Sequence, residues 1–248
     1  MGVWPRKRAA KETPRVRAWA SSKDKKLLGF AGYKVGMTQI QYTDAKKTSI
    51  TKGMDVTVPV TIIECPPLKV FGARAYKKSY YGTTIVGQIL KSSDKSLEKR
   101  MIAPKEISTF DAVNADSTDE IVLLCHTQPG LTGIGKKTPE VFEVGIGGSL
   151  ADQIEFAKEM VGKDVAVSDL FASGDFVDAH GVTTGKGYQG VIKRFGVGLK
   201  QKKSEKGQRR VGARSGGWTS QRHMMYRVAQ PGQLGYHKRV DYNKQIMF

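Results

Sequence analysis

Cysteine is nearly absent: Cys65 and Cys125 are the only two in 248 residues. Two thiols so far apart exclude a disulfide framework and a cysteine-based metal site. Both lie in apolar runs, which fits buried thiols in a reducing compartment. Histidine is also scarce, at four residues. His126, His180, His223 and His237 include no close pair of the kind a metal site uses. Cys125 and His126 are adjacent, so in a strand they face opposite sides and make a poor nucleophile–base pair. Asp175 and Asp178 are close in sequence, but carboxylates of this kind more often serve turns and rims. Catalysis is therefore not expected, and neither a cofactor nor a metal is implied. No apolar run approaches the roughly 20 residues that cross a bilayer. The start, MGVWPRKRAA, has no apolar stretch behind its basic residues, unlike a secretory signal. Zinc-finger spacing and basic-leucine heptads are missing, which leaves no recognised DNA-binding module. A βαβ rhythm is missing too, which argues against Rossmann and TIM-barrel folds.

Acidic residues are unevenly withheld. The chain carries 41 Lys and Arg against 23 Asp and Glu, a formal charge of +18. Residues 1–26 hold nine basic and two acidic residues, and residues 181–240 hold fourteen basic residues against the single acid Glu205. Residues 27–180 are near neutral, with seventeen basic and nineteen acidic residues. Solubility alone does not need this partition. It suits a packed body that carries basic extensions onto a polyanion, nucleic acid first and an anionic membrane surface second.

Residues 1–26 contain two prolines and few aliphatics, too little for a core of their own. Trp4 and Trp19 stand out there; each suits stacking on a base or docking in a groove of a partner, and Trp19 equally suits anchoring onto the body of the chain. Strands are expected at 27–42, 55–65, 83–90, 120–127, 138–148 and around DFVDAHGVT. In DVTVPVTIIEC, Val56, Val58, Val60 and Ile62 share one face by the two-residue period. Pro59 faces the other way and marks an edge or bulged strand. KVFGARAYKKSYYGTT (69–84) is basic and aromatic, either a strand with a ligand-facing side or a polar strand pair. SLADQIEFAKEMVGK is the clearest helix. Ser149 is its N-cap, Asp152 the capping-box partner, Ile154, Ala157, Met160 and Val161 the apolar stripe, and Gly162 the C-cap. Six or more short strands with one or two helices predict a β-barrel or closed mixed β domain with a small helical insertion.

GVTTGKGYQGVIKRFG (181–196) has an exposed, glycine-punctuated backbone that suits phosphate. It is not a Walker A loop: the glycine spacing is one residue short, and Gly187 occupies the place of the magnesium-binding hydroxyl. Lys186, Lys193 and Arg194 instead suit phosphates around a sharp turn. The following stretch to Arg239 has almost no aliphatic clustering, so it is either disordered or ordered by a partner. Trp218, Tyr226, Tyr236 and His223 are interleaved with arginines, as stacking on unpaired bases beside neutralised phosphates requires.

LLGFAGYKVGMT (27–38), GVTTGKGYQGVIKRFG (181–196) and QPGQLGYHKRVDYNKQI (230–246) resemble the ribosomal protein L3 family of the large subunit, in its archaeal or eukaryotic form. FEVGIGGSLADQIEFAKEMVGKDVAVSDLF and the PRKRA stretch resemble it as well. The resemblance implies a mainly β fold with an α/β insertion: a six-stranded translation-protein-type β-barrel with long basic RNA-penetrating extensions. In this chain that places a basic N-terminal extension at 1–26, barrel parts at 27–90 and 171–248, an inserted mixed α/β domain at 91–170, and a basic internal loop at 196–229. It implies a structural role in the cytoplasmic ribosome, near the peptidyl transferase centre, and early in subunit assembly; a free-standing RNA-binding or RNA-chaperone protein is the alternative reading. The partners are large-subunit rRNA and neighbouring large-subunit ribosomal proteins, with no DNA and no membrane.

The RNA-binding residues expected on this basis begin with Arg6, Lys7, Arg8, Arg15 and Arg17 of the extension, and Lys186, Lys193 and Arg194 of the turn. The loop adds Lys202, Lys203, Arg209, Arg210, Arg214, Arg222 and Arg227. Trp218, in GARSGGWTS, matches the family's tryptophan finger, a wedge held by RNA. Tyr236, His237, Lys238 and Arg239 complete the set. Two departures from the family stand out. Glu205 occupies a place where many eukaryotic relatives carry a methylated histidine. Relatives also continue beyond the NKQI motif, whereas this sequence stops at Phe248; the ending QIMF reads as an interrupted core strand, which leaves a different closure, a second polypeptide or a fragment as expectations.

Overall fold

The computed structural model describes residues 3–91, 95–102, 117–201, 203 and 228–247. The chain is mainly β, with eleven strands and three short α-helices among these residues. It divides into two compact units, one of residues 15–173 and one that joins residues 1–14 to 174–248.

The larger unit is built on an antiparallel sheet. β3 (Leu68–Ser79) lies between β4 (Gly82–Leu90) and β5 (Glu120–His126), β6 (Val141–Gly145) follows β5, and β7 (Asp164–Val165) pairs with the start of β3. The run IVLLCH in β5 is buried throughout because both faces of this central strand are covered. Leu123 and Cys125 join Val70, Ala73, Val144 and Ala157 in one cluster, against which Ile154 and Met160 of α2 (Leu150–Met160) pack. Leu124 turns to the other face and meets Phe71 and Leu97, the latter from α1 (Lys95–Glu98). α2 forms as its sequence predicts. The Ser149 hydroxyl accepts the Asp152 amide, the Asp152 carboxylate accepts the Ser149 amide, and Gly162 follows the last turn with φ of 96°. The helix expected in 149–163 is thus observed as Leu150–Met160, with Val161 rather than Gly162 as its C-cap.

β1 (Tyr33–Thr43) and β2 (Asp55–Glu64) form a separate two-stranded ribbon. Pro59 sits opposite Gln39. Because β2 has β1 as its sole sheet neighbour among the described residues, the missing proline N–H costs no ladder bond on the open side. Val56, Val58 and Val60 alternate as half-buried positions, but Ile62 at the end of the same face is exposed. Trp19 resolves as an anchor. Its ring lies over Gly29 and Gly145, where an added Cβ would come within 2.8 and 2.6 Å of it. The chain then runs along the end of β6, with the Leu28 amide donating to Gly145 O at 3.0 Å and the Gly147 amide to Lys26 O at 2.9 Å.

Strands β3 and β4, expected beside the N-terminal barrel strands, share their sheet with β5 and β6 from 91–170. Among the described residues the strands form this sheet and three two-stranded ribbons rather than a closed barrel.

In the smaller unit, β8 (Phe176–Val182) pairs with β11 (Lys238–Gln245), so two motifs far apart in sequence become neighbours. β9 (Tyr188–Gln189) pairs with β10 (Gly232–Gln233), and α3 (Val191–Phe195) ends at Gly196, whose φ is 68°. Asp178 accepts the amide of Asn243 at 2.9 Å, where the β8–β11 register shifts, so this carboxylate serves an irregularity within the strand pair rather than a turn.

Candidate nucleic-acid interface

The glycine-rich turn is closed mainly by backbone bonds. The amides of Lys186 and Tyr236 donate to Leu234 O and Thr183 O, each at 2.9 Å, and Leu234 donates to Gly187 O at 2.9 Å. Gly235 is held at φ 79°, and a Cβ there would lie 2.1 Å from Thr184 O, so no side chain fits. Tyr236 follows at φ 54°, a left-handed turn on a non-glycine residue. The crossing presses residues 183–187 against 234–237.

Onto this crossing the N-terminal segment docks. The Ala9 amide donates to Tyr236 O at 2.8 Å, and Lys7 O lies 2.9 Å from Nδ1 of His237. The His237 ring is buried, so this bond fixes Nδ1 as the protonated nitrogen. Trp4 stacks on Phe195 of α3 with centroids 4.8 Å apart. Arg6 lies over the same phenyl ring at 4.3 Å and donates to Arg194 O. Burial first, then the neighbouring charges of Arg194 and Arg239, hold the Arg6 guanidinium below its ordinary pKa.

Arg194 turns inward. Its Nε donates to Gln233 O at 3.0 Å, Nη1 to Gln230 O at 2.7 Å and Nη2 to Arg6 O at 3.3 Å. One guanidinium thus fastens the backbone carbonyls of Arg6, Gln230 and Gln233. Sequence reasoning placed Arg194 on phosphate and gave Gln230, Gln233 and Phe195 no role. The signal for a structural bond was weak, because a carbonyl partner leaves no mark in sequence.

The remaining cations face outward. Lys7, Arg8, Lys186, Lys193 and Lys238 are exposed, as are Arg15 and Arg17 in the larger unit, and none pairs with a carboxylate among the described residues. Arg8 reaches only Gln233 Oε1, at 3.5 Å, and Arg239 donates to Lys238 O at 2.7 Å. The larger unit behaves differently: Arg74 meets Glu143, Lys136 meets Glu140, and Lys25 meets Glu155 at 2.8 Å. Lys203 is described but stands alone beside Lys202, Arg209, Arg210, Arg214, Trp218, Arg222 and Arg227, which lie outside the described residues. No group of three or more His, Cys, Asp or Glu is placed to hold a metal among the described residues.

Such a surface, cationic and unneutralised over a rigid backbone crossing, defines a polyanion-binding protein. The sequence profile described as Ribosomal protein L3 matches residues 1–248. A large ribosomal subunit protein uL3 from Methanobrevibacter smithii is 45% identical over 251 residues, covering 98% of this chain and 74% of the relative. Its counterpart in Methanosphaera stadtmanae is 44% identical with the same coverage, and that of Haloquadratum walsbyi is 40% identical over 100% of this chain and 77% of its own length. The chain belongs to the ribosomal protein L3 family.

Proposed function

We propose that this chain is a structural constituent of the large ribosomal subunit, which binds large-subunit rRNA near the peptidyl transferase centre and supports subunit assembly. Its place is the cytoplasmic ribosome, and its partners are that rRNA and neighbouring large-subunit proteins. The family match along the whole chain carries this reading. The chain orders RNA and performs no reaction. The exposed Lys7, Arg8, Lys186, Lys193 and Lys238 act as phosphate contacts, and phosphate contacts position RNA without reading its sequence. Tyr236 and Arg239 belong to the same surface, while Arg6, Arg194 and His237 hold its shape; Arg15 and Arg17 are RNA contacts of the larger unit.

The fold implied by the family is part of this proposal: a six-stranded translation-protein-type barrel drawn from 27–90 and 171–248, to which β1 and β2 rather than β3 and β4 contribute, because β3 and β4 share their sheet with β5 and β6 of the 91–170 insertion. The family match along the whole chain supports it. The test is binding of the purified chain to the host's large-subunit rRNA. Replacing Lys186, Lys193 and Lys238 together by alanine weakens binding without unfolding the protein. Unchanged affinity would contradict the assignment of these contacts.

A further inference from the structure

The β3–β4 hairpin belongs to none of the surfaces above. Its ladder ends at the Ser79–Gly82 pair, so Tyr80 and Tyr81 form the whole connection. Both are almost wholly outside the fold, 96% and 95% exposed, with rings meeting edge to face at 5.2 Å. Two-residue hairpin turns favour Asn-Gly or Gly-X, whose backbones take positive φ at no cost. Here neither tyrosine has positive φ; the φ of 129° falls on Gly82, whose absent side chain faces open space. Turn chemistry therefore does not select these tyrosines, and neither does the core. A local rule broken with no structural gain marks a functional position.

Charge limits the partner. No Asp or Glu occurs between Cys65 and Ser93. Lys77 is exposed beside the turn without a carboxylate partner among the described residues, while Lys78 leans on Glu120 at 3.7 Å. Size limits it further. Two tyrosines offer about 150–250 Å² each, well short of the roughly 800 Å² per partner in a stable protein interface. Two rings do suffice to stack one or two bases, with a lysine to meet the adjoining phosphate.

We propose that Tyr80 and Tyr81, with Lys77, form a second RNA contact that stacks on unpaired bases of large-subunit rRNA. This rests on the ribosomal reading. Each stack lost shifts the stacked-to-unstacked ratio about 5- to 150-fold.

The test uses large subunits from cells that carry the full chain, irradiated with ultraviolet light and cleaved at lysine and arginine. Peptide 79–91 is expected to carry a nucleotide adduct on Tyr80 or Tyr81. In Y80A/Y81A subunits, one or two rRNA bases become reactive to chemical probing, and in Y80F/Y81F subunits they stay protected. An unmodified peptide 79–91 with unchanged base reactivity, while peptides from 181–201 keep their adducts, overturns the proposal and leaves the ribosomal reading standing. A crosslink from this peptide to protein alone also overturns it. A chain absent from large subunits overturns both.

Discussion

Arg194 shows how one residue can differ from its sequence reading while serving the same surface. An arginine in a basic, glycine-rich turn suggests phosphate, yet this guanidinium is spent on Gln230, Gln233 and Arg6 carbonyls. Lysine keeps the charge but not the fork. Arg194→Lys is therefore expected to cost on the order of 2 kcal/mol, from charged hydrogen bonds to carbonyls left without their donor. It also speeds hydrogen exchange at the Ala9 amide. A lysine variant as stable as the parent would show that charge alone matters there. Cys125 was legible as a buried thiol, and burial pushes it up to about 12. At neutral pH almost no thiolate forms, so a thiol reagent leaves Cys125 untouched until the protein unfolds. Rapid modification of the folded chain would contradict this. Trp19 was ambiguous in sequence because an anchor and a base-stacking ring share the same composition; Gly29 and Gly145 beneath it settle the matter.

At the scale of elements, α2 was the most readable, since its cap, stripe and terminating glycine are all local signals. Ser149→Ala is expected to cost about 1 kcal/mol, read as a lower thermal midpoint. The capping bonds also fix a pH dependence. Hydrogen bonds from the Ser149 hydroxyl and amide hold the Asp152 carboxyl below its ordinary pKa, and bonds from Ser49, the Lys46 amide and Thr51 do the same for Asp44. Both carboxyls are easier to protonate in the unfolded chain. Their stabilisation is thus complete above the ordinary carboxylate range and disappears as pH falls through the depressed folded values. Acid unfolding of the parent should show this loss, and Ser149→Ala should show less of it; identical acid limbs would refute the assignment. Sheet partnership was harder to read. The sequence placed β3 and β4 as strands, but the pairing of β3 with β5 is set by burial on both faces of a strand that begins more than 40 residues after β3 ends. The docking of residues 3–9 on the 183–187 and 234–237 crossing was likewise hidden, because backbone-to-backbone bonds have no sequence signature.

For the whole molecule, charge partition was the clearest sequence signal. Ion pairs such as Arg74 with Glu143 and Lys136 with Glu140 occur within the near-neutral body, while Lys7, Arg8, Lys186, Lys193 and Lys238 of the basic parts meet no carboxylate among the described residues. RNA binding by the full chain should therefore weaken steeply with salt, as neutralised phosphates release counterions, and each lysine-to-alanine change at Lys186, Lys193 or Lys238 should reduce the slope by about 1. A flat salt profile would contradict a phosphate-led interface. The central claim is tested most directly by sedimenting the host's ribosomal subunits and measuring the intact protein mass in each fraction. The account predicts that a protein carrying this sequence sediments with the large subunit at one copy per particle. Its absence from large subunits, with the protein recovered among free RNA-binding species, would contradict it.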